Sequence, residues 1–144
     1  MTITLSDAER QAIALAESVA DVTVRDCLFD DDHDRVAFVV AAGEIGKAIG
    51  KDGQTVERIE ERIGRDVTLL EDAPTPEGFV ANALAPAAVH DVTIEDGPDG
   101  PVAVADVDER DIGAAIGADG RRIELARELA ARHFDIDDIE LVET

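Results

Sequence analysis

A chain of 144 residues with 34 acidic and 13 basic side chains carries a formal net charge of −21, yet its hydrophobic share of 45% excludes wholesale disorder. Its apolar runs are too short to cross a bilayer, the single Cys27 cannot form an internal disulfide, and MTITLSDAER lacks the basic and apolar regions of a secretory signal, so a cytoplasmic protein that does not enter membranes is expected. The acids are spread along the chain between periodic apolar positions, the pattern of adaptation to high salt, where at about 1 M the Debye length falls to roughly 3 Å.

The first helix is expected to start at Ser6, which with Glu9 makes a capping box, and Ala8, Ala12, Leu15, Ala16 and Val19 share one face. Two strands follow near 21–28 and 35–41, joined by the polar DDDHD loop. A short helix then enters a glycine-rich turn, after which Val56, Ile59 and Ile63 mark a further helix and a strand is expected near 66–70. LEDAPTPE is the joint, with Pro74 and Pro76 stiffening it, so the domains are expected at 1–72 and 73–144.

Beyond the joint the order repeats. Thr75 and Pro76 open a helix that Pro86 closes. Strands are expected at 89–95 and 101–106 around GPDG, then a second glycine turn, a helix marked by Ile123, Ala126 and Ala130, and a strand near 137–142. IGKAIGKDGQTVERI at 45–59 aligns with IGAAIGADGRRIELA at 112–126 at a shift of 67. DVTV at 21–24 aligns with DVTI at 91–94 at a shift of 70, which implies a following loop three residues shorter in the second copy. The chain is a tandem duplication of an α-β-β-α-α-β unit, an α+β fold.

The turns carry the chemistry. Glycines let the backbone take positive φ and approach a ligand closely, and the amides opening the next helix favour an anion. Gly46 is expected to let the short helix pack tightly, with Ile45 and Ile49 anchoring it in the core. The only two lysines, Lys47 and Lys51, stand here. Residues 43–65 and 110–132 hold ten of the thirteen basic residues against nine acids, a balance of +1, whereas the remainder carries −22. Positive charge is kept where phosphate would sit. The bland reading of these arginines is i, i+4 pairing with Glu57, Glu61, Glu124 and Glu128 on solvated helix faces.

I-G-x-x-I-G-x-x-G between two helices after a strand pair resembles the KH RNA-binding domain, whose GxxG loop grips about four nucleotides. The element order resembles the type II form. Two such modules filling a chain of this length resemble the archaeal NusA-type transcription termination and elongation factors. The resemblance implies two type II KH domains packed into a rigid tandem, a monomer binding single-stranded RNA near RNA polymerase, with no cofactor, metal or catalysis. It implies RNA contact at Gly46, Lys47, Gly50, Lys51, Asp52, Gly53 and Arg58, and at Gly113, Gly117, Ala118, Asp119, Gly120, Arg121 and Arg122. Bases are expected in an aliphatic groove lined by Ile45, Ile49, Val56, Ile112, Ile116 and Ile123, since Trp and Tyr are absent and the four Phe are scattered. The second loop departs from the pattern: Ala118 leaves it without a basic residue, and Arg121 and Arg122 would compensate.

Three rival readings stand beside this one. A dinucleotide-binding enzyme needs a strand leading into the glycines, where here a helix does. Metal binding at Asp30, Asp31, Asp32, His33 and Asp34 lacks the glycine and distal glutamate of an EF-hand, so a solvated hairpin tip is expected. The third is a tandem KH scaffold acting as a protein-interaction adaptor.

Overall fold

The computed structural model describes residues 4–144, and its contacts divide them after Asp72 into two compact units. The first contains α1 (Asp7–Ala20), β1 (Val24–Asp30), β2 (Arg35–Val40), α2 (Ile45–Ile49), α3 (Gln54–Ile63) and β3 (Asp66–Glu71). β1 pairs with β2 antiparallel and β2 with β3 parallel. A parallel pair needs a crossover, and α2 with α3 supplies it.

Residues expected to start α1 do so. The Glu9 amide donates to the Ser6 hydroxyl at 3.2 Å and the Ser6 amide to the Glu9 carboxylate at 2.8 Å. The packed stripe begins one turn later than the sequence pattern placed it, at Ala12, Ala16 and Ala20, while Ala8 is exposed. These alanines meet Val36, Phe38, Val40, Cys27, Ala48 and Ile59 in the core. Every residue of β2 from Val36 to Val40 is buried, as expected of a central strand with a continuous apolar run.

The acidic hairpin tip holds cations of its own chain. A short 3-10 turn, Asp31–His33, joins β1 to β2. Arg35 donates to Asp30 at 2.9 Å with His33 Nδ1 2.8 Å from the same oxygen, and Arg65 meets Asp31 at 2.7 Å while covering the Phe29 ring at 5.1 Å. Among the described residues no group of three His, Cys, Asp or Glu side chains could hold a metal ion. Burial raises the Asp30 pKa, but the hydrogen bonds from His33 and Arg35 and their charges outweigh it, so the carboxyl sits below its ordinary value. Its stabilising effect is therefore complete above the unfolded value of about 4 and is lost as pH falls through the lowered folded value. Asp30→Asn is expected to cost about 1–2 kcal/mol at neutral pH, and acid titration of the melting temperature should show the gap between variant and wild type closing as pH drops.

The second unit repeats the order with α4 (Pro76–Ala83), β4 (Val89–Asp96), β5 (Pro101–Val107), α5 (Ile112–Ile116), α6 (Arg121–Phe134) and β6 (Asp138–Glu143), again one antiparallel and one parallel pair. The Thr75 hydroxyl accepts from the Gly78 amide at 3.1 Å, with Pro76 at the first helical position. Phe79, fully buried on α4, lies 5.4 Å from the rings of both His133 and Phe134.

Strand pairing overturns one part of the sequence alignment. The first ladder pairs, Val24 with Val40 and Val89 with Val107, are each followed by a bulge, so Val24 corresponds to Val89 at a shift of 65. The match of DVTV to DVTI is not structural: Asp21 is the left-handed C-cap of α1, whereas Asp91 pairs with Asp106 inside β4. The second hairpin is accordingly two residues longer than the first through one extra ladder pair, while the loops themselves, 31–34 and 97–100, are equally long rather than three residues different. Among the described residues, no helix is long and apolar enough to cross a membrane.

Candidate nucleic-acid interface

Each unit presents a one-turn helix, a tight glycine loop and the N-terminus of a longer helix, and the two copies agree closely. Gly50 has φ 79°, ψ 172° and Gly117 φ 80°, ψ 169°. Asp52 and Asp119 share φ 56°, ψ 26°, while Gly53 at 75°, 11° matches Gly120 at 76°, 12°. The exchange of Lys51 for Ala118 leaves the backbone unchanged. It also explains the aspartate beside the last glycine: the left-handed region admits Asp, Asn and Gly most readily. All five positive-φ residues other than glycine among the described residues are aspartates.

The first loop glycines are required by space as well as by φ. A Cβ on Gly50 would lie 2.1 Å from Thr55 Oγ1 and 2.8 Å from its backbone nitrogen, and one on Gly117 would lie 2.7 Å from the Arg122 nitrogen. A Cβ on Gly53 would meet nothing within 4 Å and one on Gly120 only the Glu124 carboxylate at 3.7 Å, and neither α3 nor α6 receives a side-chain cap. In contrast, Ser6 caps α1 and Thr75 caps α4. The starts of α3 and α6 lie directly beside the glycine loops, where an anion can take the place of a side-chain cap.

Tight packing does not account for Gly46 and Gly113. A Cβ on either meets nothing within 4 Å, and both are exposed. The short helices are seated by Ala48 and Ala115, buried to 1% and 0%, because in a single turn the residue three after Ile45 or Ile112 faces inward. Ile49, expected as a core anchor, is 42% exposed and its counterpart Ile116 41%. Each is the open aliphatic position beside the loop of its own unit, with Ile45, Val56 and Ile112 half-buried and Ile123 buried. Each short helix is tied to the start of its sheet by its N-cap carboxylate: Glu44 accepts from the Thr23 amide at 2.9 Å, Asp111 from the Ala88 amide at 2.8 Å.

The basic residues divide into held and free. Lys47 pairs with Asp21 at 3.0 Å, Arg110 with Asp108 at 3.1 Å, Arg127 with Asp138 at 2.8 Å, and Arg121 lies 3.8 Å from Asp119. Arg110 and its hydrogen bonds hold the Asp108 carboxyl down to about 2. Arg122 donates to the Ala83 carbonyl at 3.4 Å, which ties α6 to α4 and turns that guanidinium toward its own fold. The i, i+4 pairs expected along α3 do not form, because that spacing sets Glu57 over Glu61 and Arg58 over Arg62. The side chains of Lys51, Arg58 and Arg62 make no ion pair or hydrogen bond among the described residues. Aromatic stacking platforms are absent from both loops: Phe38 and Phe79 are fully buried, Phe29 lies under Arg65, and Phe134 packs on Phe79.

Comparison with known proteins agrees with this geometry. The profile of the KH domain matches residues 11–75, and that of the NusA-like second KH domain matches residues 76–144. A protein of Halobacterium salinarum named "Probable transcription termination protein NusA" is 60% identical over 141 residues, spanning 98% of this chain and 99% of that one. A protein of the same name from Halococcus morrhuae is 57% identical over equally long spans. The solved structure titled "Crystal structure of APE1850" superposes with a TM-score of 0.83 at 26% identity, covering 96% of this chain and 100% of that one.

Proposed function

This chain belongs to the archaeal NusA-type family with two KH domains, and we propose that it is an RNA-binding transcription termination factor that holds single-stranded nascent RNA near RNA polymerase. It works in the cytoplasm as a monomer, by binding and without catalysis. The observation that carries this reading is the paired loop: two GxxG turns with matching backbone angles, each opening an uncapped helix next to an exposed isoleucine. Phosphates lie against the loop amides and helix N-termini, bases rest on Ile49 and Ile116, and bare Gly46 and Gly113 let the strand pass close.

The test is RNA affinity with a carboxylate added to each loop. Lys51→Asp combined with Ala118→Asp changes two exposed side chains without touching the glycines or the left-handed aspartates. Three units of charge change near phosphate, at about 1 kcal/mol each in water, should weaken binding roughly 100-fold. Equal binding by wild type and variant sinks the loop assignment, and no binding by either leaves the adaptor role as the function.

The bare helical glycines offer a second check. Gly46→Ala and Gly113→Ala should each stabilise the fold by about 0.5–1 kcal/mol through helix propensity, yet weaken RNA binding. A stabilised variant with undiminished affinity argues against close passage of the strand.

A further inference from the structure

The two units are alike in loop geometry and unlike in the charge that surrounds it. Of the thirteen basic residues, Arg25, Lys51, Arg58 and Arg62 have side chains that make no ion pair or hydrogen bond among the described residues, and all four lie in the first unit. In a chain with 34 acidic residues, a basic side chain left without a carboxylate is the exception. Arg25 stands on β1, whereas the other three stand on the first glycine loop and the helix that follows it. Lys51 stands in the loop, and Arg58 and Arg62 follow at an i, i+4 spacing on the same face of α3 as Gln54, which extends about 12 Å from the loop at 1.5 Å per residue.

The second copy has no such row. At the 67-residue shift Lys51, Arg58 and Arg62 become Ala118, Leu125 and Leu129, and both leucines are buried, at 3% and 1%. Around the second loop Arg121 lies near Asp119 and Arg122 reaches a backbone carbonyl. The acids of α3 do not cancel its row: Glu57 and Glu61 occupy the neighbouring strip of the helix and bound the row on one side.

We propose that the row Lys51, Arg58 and Arg62 is a second phosphate-contact path, which carries an RNA strand from the first GxxG loop along α3 and makes the first domain the electrostatic anchor of the pair. The proposal rests on the RNA-binding reading given above. The second domain then holds RNA by loop amides and aliphatic surface, with little dependence on salt.

The experiment compares wild type, Arg58→Gln/Arg62→Gln and a control, Arg10→Gln, whose arginine pairs with Asp7. Each is titrated with labelled single-stranded RNA of about four nucleotides, the span of one GxxG loop, and with RNA roughly three times as long, over the KCl range in which far-UV circular dichroism shows an intact fold. The expected result is unchanged binding of the short RNA, about tenfold weaker binding of the long RNA by the double variant, and a salt slope shallower by about 1.4, or roughly 0.7 per lost phosphate contact on a single strand. Arg10→Gln should follow wild type. Long-RNA affinity and slope that match wild type in the double variant overturn the path while the RNA-binding function stands. Absence of binding by wild type overturns both.

Discussion

Alanine in place of Gly117 is expected to cost the second domain about 2–4 kcal/mol, and alanine at Gly50 to cost the first a similar amount. Two terms add. The left-handed φ of about 80° costs an L-residue roughly 1–2 kcal/mol, and the new methyl must displace backbone. At Gly117 the atoms met within 3 Å are the Arg122 backbone nitrogen and Cβ, which belong to the first turn of α6 and cannot swing away. At Gly50 the nearest atom is the Thr55 hydroxyl, which a rotamer change can move, but the Thr55 nitrogen at 2.8 Å remains. Shifting a packed turn costs another 1–3 kcal/mol or so. Gly53→Ala and Gly120→Ala, with the same sign of φ and no crowded atom around them beyond an ordinary 3.7 Å contact of Gly120 with the Glu124 carboxylate, should lose only the first term. Thermal melts of the four variants in molar KCl check the ranking. Equal losses at all four positions would mean that φ alone decides, and that the close approach of loop to helix carries no weight.

This ranking also marks what the sequence could reveal. Both copies of I-G-x-x-I-G-x-x-G, the capping residues and the two-to-3.6 switch in apolar period made the α-β-β-α-α-β order readable, since each rests on local preferences. Which loop glycine is crowded was not readable, because the crowding comes from Thr55 and Arg122 across the turn. The alignment of DVTV with DVTI failed for a related reason. Four residues of matching type can cap a helix in one copy and lie within a strand in the other, and only the ladder to β2 or β5 shows the true register. Arg122 illustrates the limit for the site itself. Its place directly after the loop suggested phosphate, but its reach to Ala83 depends on where α4 ends. By contrast, the charge count around the loops did locate free cations, though in the first copy alone.

The salt dependence of folding and that of binding run in opposite directions here, and their product predicts a maximum in RNA affinity. With a net charge of −21 on 144 residues, the folded state concentrates like charges that the unfolded chain spreads apart. Relatives from Halobacterium salinarum and Halococcus morrhuae accord with a surface adapted to high salt. Between about 1 M and 0.01 M salt the Debye length grows from roughly 3 Å to 30 Å, so repulsion confined to neighbours comes to act across the whole domain. Against a stability of about 5–15 kcal/mol typical of domains, that change should unfold the protein. Far-UV circular dichroism is the measurement, since without Trp or Tyr the chain has little intrinsic fluorescence. RNA binding by the folded protein obeys the reverse rule: each phosphate contact made by a cation lowers the affinity with rising salt at a slope of about 0.7. Apparent affinity should therefore rise as KCl restores the fold, pass through a maximum, and then fall with a slope set by Lys51, Arg58 and Arg62. A monotonic decline from the lowest salt would show that the acidic surface does not require salt to fold. A rise that never turns over would show that cations contribute no measurable share of binding, leaving the loop amides and the exposed isoleucines as the whole of the interface.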